Sequence, residues 1–146
     1  MLVPLIPGDI PELLQIERLP GYDAFIGQWT AEEHAAEMAS PAARYLGWRQ
    51  DGALSGFVIF QKFDQPVVWL RRIAVATLGG GLGTTLLRSA MDWAFAQTQA
   101  DAVDLHVRPG NDRARAVYLR EGFTTSGAFD EGGEEMIVSR ARWMAR

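Results

Sequence analysis

The sequence predicts one α/β domain: a mixed, mostly antiparallel sheet of six to seven strands flanked by about four helices. Three observations carry this. Short apolar segments in the first half are joined by tight-turn signals. A long apolar strand then runs through a glycine-rich loop straight into an amphipathic helix. A further strand follows that helix, so the crossover contributes one parallel pair to an otherwise antiparallel sheet.

The elements follow in order. Residues 2–6 read as a first strand. Asp9 ahead of Pro11 starts a helix reaching about Arg18, a capping residue followed by proline where its missing N–H does no harm. Thr30-Ala31-Glu32-Glu33 matches a capping box and opens a second helix that stops near Ser40-Pro41. Residues 44–50 and 54–62 flank Asp51-Gly52, a strong hairpin signal. Residues 67–75 are apolar apart from Arg71 and Arg72, which suits a central strand. The next helix runs to about Gln97, with Leu82, Leu86, Leu87, Ala90, Trp93 and Ala94 on one face. Val103, Leu105 and Val107 alternate with Asp104 and His106, a half-buried strand. Asn111 caps a short helix that Gly122 stops. Residues 123–129 and 136–140 close the fold as a hairpin around Asp130-Glu131-Gly132-Gly133.

Composition narrows the class. The chain has 146 residues, 48% hydrophobic and 22% charged, which fits a single globular domain spanning 1–146. It contains no cysteine, so disulfides, thiolate nucleophiles and zinc–thiolate clusters are excluded. No apolar run approaches the ~20 residues of a membrane-spanning helix. The start lacks a basic region and is broken by Pro4 and Pro7, unlike a signal peptide. The net charge of −4 offers no overall basic footprint for nucleic acid. A cytoplasmic protein with neither nucleic-acid nor membrane partners is expected.

The loop Leu78-Gly79-Gly80-Gly81-Leu82-Gly83 is the most informative stretch. Glycines let several backbone N–H groups converge on one point, and a helix N-terminus adds free donors and partial positive charge. This suits a phosphate or pyrophosphate; the alternative is a plain strand-to-helix turn. A Walker loop requires lysine after its last glycine, where Thr84 stands. The dinucleotide fingerprint belongs in the first β-α unit with an acidic residue about 20 residues on; here three strands precede the strand that feeds the loop, which weakens this reading, while Asp101 and Asp104 stand at about the required distance.

Arg72-Ile73-Ala74-Val75, this loop and Thr84-Thr85-Leu86-Leu87 resemble the acetyl-CoA motif of the GCN5-related N-acetyltransferase (GNAT) superfamily. Leu105-His106-Val107 with Asn111, Ala114, Ala116, Tyr118 and Glu121-Gly122-Phe123 resembles its second motif. Together they span about half the chain. The resemblance implies a GNAT fold with splayed central strands and acetyl-CoA as cosubstrate, without metal. It implies that backbone amides of Leu78, Gly79, Gly80, Gly81, Leu82, Gly83 and Thr84 hold the pyrophosphate, and that the edge of Ile73, Ala74 and Val75 pairs with the pantetheine arm. Asn111 would bond that arm, and Tyr118 would protonate the leaving thiolate. Leu78 replaces the family's usual Gln or Arg, the loop is short, and Trp69 stands where some relatives carry a catalytic glutamate.

The base must then come from elsewhere. His106 is the candidate, because imidazole accepts protons in the neutral range; a similarly placed histidine is catalytic in some protein N-terminal acetyltransferases. Trp29, His34 and Arg72 are candidate residues of the acceptor wall, and Glu17 is an alternative base or amine anchor. Of Arg71 and Arg72, one is expected to face the acceptor and the other to pair with a carboxylate. Glu33 is best explained as the capping-box partner of Thr30, and stands with Glu17 as a fallback base if histidine is not the base. The acceptor is a primary amine of a small molecule or peptide, and self-association as a homodimer is left open. The rival reading is a CoA-binding or sensor module that has lost chemistry.

Overall fold

The computed structural model describes residues 1–129 and 132–146. Asp130 and Glu131, expected in the closing turn, lie outside the described residues. Strands β1 (Leu2–Pro4), β2 (Arg44–Gln50), β3 (Ala53–Gln61), β4 (Val67–Val75), β5 (Ala102–Val107), β6 (Thr124–Phe129) and β7 (Gly133–Ser139) form one sheet. Its order is β1-β2-β3-β4-β5-β7-β6. Only β4 and β5 pair in parallel, as the crossover requires. The α-helices are α1 (Ile10–Glu17), α2 (Ala31–Met38), α3 (Leu82–Gln97), α4 (Asp112–Arg120) and α5 (Arg140–Met144).

Strand alternation distributes two cores across the sheet. Val58 and Phe60 of β3 face Leu86, Ala90 and Met91 of α3, together with Val103, Leu105 and Val107 of β5. Phe57 and Ile59 point the other way, onto Leu13 and Ile16 of α1. Burying each such side chain contributes on the order of 1.5–3 kcal/mol. The sheet is therefore clamped between α1 on one face and α3 on the other, which fixes the ends of β4 and β5.

Local chemistry sets most of the helix starts. Thr30 Oγ1 accepts the Glu33 N–H at 3.1 Å, and Glu33 Oε1 accepts the Thr30 N–H at 3.0 Å. Asn111 Oδ1 accepts the Ala114 N–H at 3.4 Å and caps α4. Asp9 departs from expectation. It precedes α1, but its carboxylate accepts the Ile6 N–H at 2.9 Å and pairs with Arg49 at 2.7 Å. It thereby holds the 3-10 turn at Pro7–Asp9 instead of capping α1. The last strand also ends one residue early, at Ser139, whose hydroxyl accepts the Arg142 N–H and starts α5.

Two irregularities create the site. β4 and β5 pair only at Val67↔Ala102, Val68↔Val103 and Trp69↔Asp104. Beyond that point they diverge, while β5 stays paired with β7 as far as Val107↔Glu134. On its other edge β4 carries a bulge: Arg72 lies opposite Ile59 and Leu70 opposite Phe60, leaving Arg71 as the extra residue.

Candidate active site

The divergence of β4 and β5 opens a cleft of about 810 Å³. The glycine loop and the start of α4 line one end; Trp69, Arg71, His106 and Phe129 line the other.

At the loop end, Gly79 and Gly81 have φ of +87° and +81°, conformations that side chains strain to adopt. Gly81 is the N-cap of α3. A Cβ on Gly80, Gly81 or Gly83 would meet no atom within 4 Å, so the backbone here is open to a ligand. The first N–H groups of α3 lack carbonyl partners within the helix and add its dipole. Arg113 supplies the cation that the loop lacks: its Nη2 lies 3.9 Å from where a Gly79 Cβ would sit. Arg115 is instead held by Glu134 at 2.7 Å. The Thr84 hydroxyl accepts a hydrogen bond from Arg120 at 3.3 Å, and the Leu78 side chain is exposed.

The β4 edge is partly occupied. The Ala76 N–H donates to Ser55 on β3. By the alternation of an antiparallel ladder, Ala74 likewise turns its backbone groups toward β3, while Ile73 and Val75 turn theirs to the open edge. At Val75 a loop residue has taken that edge. The Tyr22 hydroxyl donates to Val75 O at 2.6 Å and accepts the Val75 N–H at 3.1 Å.

Tyr118 is buried on α4, packed edge-on against Phe123 at 5.5 Å, and lines the cleft. Burial pushes its phenol well above the usual range, so it keeps its proton. The hydroxyl makes no hydrogen bond among the described residues. His106 lies on the other face of β5, opposite Leu105 and Val107, as its alternation implies. Its ring stacks on Phe129 at 4.4 Å and meets Trp69 at 5.0 Å, with Glu135 Oε1 3.5 Å from Nε2. Asp104 shares this face, and burial raises its carboxyl above the usual range despite His106 and Lys62.

The candidate acceptor residues divide. His34 is fully buried and does not line the cleft. Its Nε2 lies 3.0 Å from Glu17 Oε2, and its Nδ1 lies 2.7 Å from the Tyr45 hydroxyl. Glu17, also fully buried, accepts from Arg72 Nη1 at 2.9 Å. Glu17 thus neutralises Arg72, and the trio supports the cleft wall from behind. Burial pushes the Tyr45 phenol up and the Arg72 guanidinium down, the latter against the pull of Glu17. Arg72 remains charged. Trp29 lies over Arg72 at 3.9 Å. Arg71 lines the cleft beside Arg72, without a carboxylate partner among the described residues. Sequence reasoning did not single out Tyr22 or Phe129; both act through contacts distant in sequence, and no local motif marks them.

The fold and cleft define a class of acyl-CoA-dependent acyltransferases: diverging parallel strands beside a glycine loop that feeds a helix. Comparison with known proteins agrees. The profile of the acetyltransferase (GNAT) family matches residues 10–123. The chain is 33% identical over 110 residues to the N-alpha-acetyltransferase RimI of Mycobacterium tuberculosis, covering 70% of this chain and 67% of that protein. It is 31% identical over 138 residues to the 5-NmdU N-acetyltransferase of Pseudomonas phage PaMx11, covering 91% and 92%. The structure of a spermidine N-acetyltransferase from Vibrio cholerae in complex with CoA and spermine superposes with a TM-score of 0.83 at 19% identity, covering 99% of this chain and 97% of that one. The chain belongs to the acetyltransferase (GNAT) family and is an acyl-CoA-dependent acetyltransferase. No described helix is long and apolar enough to cross a membrane.

Proposed function

We propose that this chain transfers the acetyl group of acetyl-CoA to a primary amine of a small molecule or peptide, by direct attack of the amine on the thioester. The observation that carries this reading is the divergence of β4 and β5 beyond Trp69↔Asp104. It leaves a cleft that runs from the glycine loop to a level where Tyr118 lines one side of the sheet and His106 the other.

Acetyl-CoA supplies an activated acyl group, so the chain has to bind, orient and manage protons. The amides of residues 78–84, with Arg113, bind the pyrophosphate. Ile73 and Val75 offer edge groups to the pantetheine arm. Asn111 uses its Oδ1 as a helix cap, and its amide N–H groups, which have no acceptor among the described residues, can donate to that arm. Tyr118, kept protonated by burial, is the general acid. His106 is the general base, with Glu135 Oε1 3.5 Å from its Nε2.

Tyr22 competes for the edge that the cofactor arm uses. Tyr22→Phe is expected to lower the melting temperature of the free protein, because two Val75 groups lose their partner at ~1 kcal/mol each. It is also expected to enlarge the stabilisation by CoA. Thermal melts with and without CoA check this; an unchanged CoA shift would remove Tyr22 from the cofactor site.

The general test is incubation with acetyl-CoA and a panel of amino acids, peptides, polyamines and aminoglycosides, following free thiol. The chain has no cysteine, so the protein itself adds no thiol signal. Thiol release with a mass-verified acetylated amine is expected. CoA binding without turnover of any amine would favour a binding module.

A further inference from the structure

We infer that the acceptor amine carries its own oxyanion, a carboxylate or phosphate, and that Arg71 receives it. This rests on the transferase reading and names the acceptor class for the same site.

The β4 bulge sets two guanidinium groups side by side against one indole: Arg71 and Arg72 lie 5.4 and 3.9 Å from the ring of Trp29. Their fates differ. Arg72 has a charge partner in the buried carboxylate of Glu17, which accepts from its Nη1 at 2.9 Å, although its buried Nε has no acceptor among the described residues. Arg71 has no carboxylate partner among the described residues; its one hydrogen bond is a long one, 3.4 Å, to Gln61 Oε1. It is half-buried in the cleft wall and stacks 4.5 Å over Trp69. Burial, reinforced by Arg108 and opposed by Glu37, depresses its pKa, which marks a cation short of compensation. The Trp69 indole N–H beside it is buried and has no acceptor among the described residues. Unpaired buried donors cost stability unless a ligand satisfies them.

The charges lining the cleft point the same way. Arg71, Arg72, Arg108 and Arg113 line it, whereas among the described residues its only acidic lining residue is Asp112, at the start of α4 near the cofactor loop. Among the described residues a polycation would find no lining carboxylate at the acceptor end. Among the described residues the carboxyl groups beside the proposed base are Glu135, 3.5 Å from His106, and Asp104 on the same strand face. An amine seated beside His106 and an oxyanion on Arg71 would be separated by the single Trp69 ring, which touches both. That separation fits an amino-acid-like acceptor, with amine and anion a few bonds apart. The planar fork of arginine suits a carboxylate or phosphate better than a point charge does.

The test uses glycine, β-alanine and longer ω-amino acids, the matching carboxamides, the matching aminoalkylphosphonates, and α,ω-diamines of the same lengths. Thiol release gives kcat/KM for each, and calorimetry on the CoA-loaded protein gives binding. The wild type is expected to prefer the best carboxylate or phosphonate over its carboxamide by ~10–100-fold, mainly through KM, with diamines poorest. Arg71→Gln should bring that ratio close to one, and Arg71→Lys should keep part of it. Normal CoA affinity in both variants shows that they are folded. A wild-type ratio near one, a preference for diamines, or a ratio that survives in Arg71→Gln overturns the inference. If no amine releases thiol, the transferase reading falls and calorimetry still decides: Arg71-dependent binding of an amino carboxylate or phosphonate upholds the oxyanion site, and its absence overturns it. The better oxyanion of the two series identifies the natural one.

Discussion

Replacing Tyr118 by phenylalanine should lower turnover by roughly 10²–10⁴-fold while leaving acetyl-CoA binding nearly unchanged. The substitution keeps the ring that packs on Phe123 and lines the cleft, and removes only the hydroxyl. Because burial raises the phenol's pKa, the wild-type enzyme keeps this proton through the neutral and mildly alkaline range. Loss of Tyr118 as the acid should therefore depress the whole pH–rate profile across that range rather than remove an alkaline limb. His106→Ala reports on the other proton. A base works deprotonated, so the rate it supports falls as pH falls, and the variant should lose that acidic limb. A protonated amine substrate produces a similar limb, so two amines of different basicity are compared. A limb that follows the substrate and persists in His106→Ala excludes the histidine. Glu17 is then a poor substitute, being sealed behind Arg72 and His34. Glu33 is engaged in its capping box, which leaves an ordered water as the better candidate.

Gly81→Val should abolish CoA binding in a protein that still folds. At φ of +81°, a β-branched residue costs on the order of 1–3 kcal/mol in the loop conformation. Its side chain would also fill the space through which a phosphate approaches the backbone. Losing about two charge-assisted backbone hydrogen bonds corresponds to roughly 100-fold or more in affinity. Gly83→Val separates strain from obstruction. Gly83 lies in the first turn of α3 without a positive φ, so valine there obstructs with little backbone cost. Calorimetric titration checks both variants against circular dichroism. Normal affinity in Gly81→Val would reduce the loop to a strand-to-helix turn.

What could be read from the sequence was what local chemistry determines. The bounds of β2 and β4, the end of α3, the capping box at Thr30 and the faces of β5 follow from apolar period, turn residues and caps. The glycine loop was legible because four glycines within five residues, between a strand and a helix, form a local pattern. The rest depends on contacts between distant residues. Glu17, His34 and Arg72 meet only when the fold closes, and His34 sits on a short helix of mixed polar and apolar residues that gives no sign of its complete burial. Which of Arg71 and Arg72 would find a carboxylate was decided by a bulge in β4, which no composition rule encodes. The Tyr22 hydroxyl reaches Val75 from a loop with no repeating pattern. Helix α5 was missed because it is a single short turn, held by the Ser139 cap and the burial of Trp143 rather than by propensity.

The decisive measurement is a crystal structure of the protein with CoA. The expected result has the pyrophosphate on the amides of residues 78–84, the pantetheine arm along Ile73 in the opening between β4 and β5, and the thiol within hydrogen-bond reach of the Tyr118 hydroxyl. CoA bound elsewhere, or bound in the cleft with its thiol remote from Tyr118, would contradict the assignment of this cleft as the acetyl-transfer site.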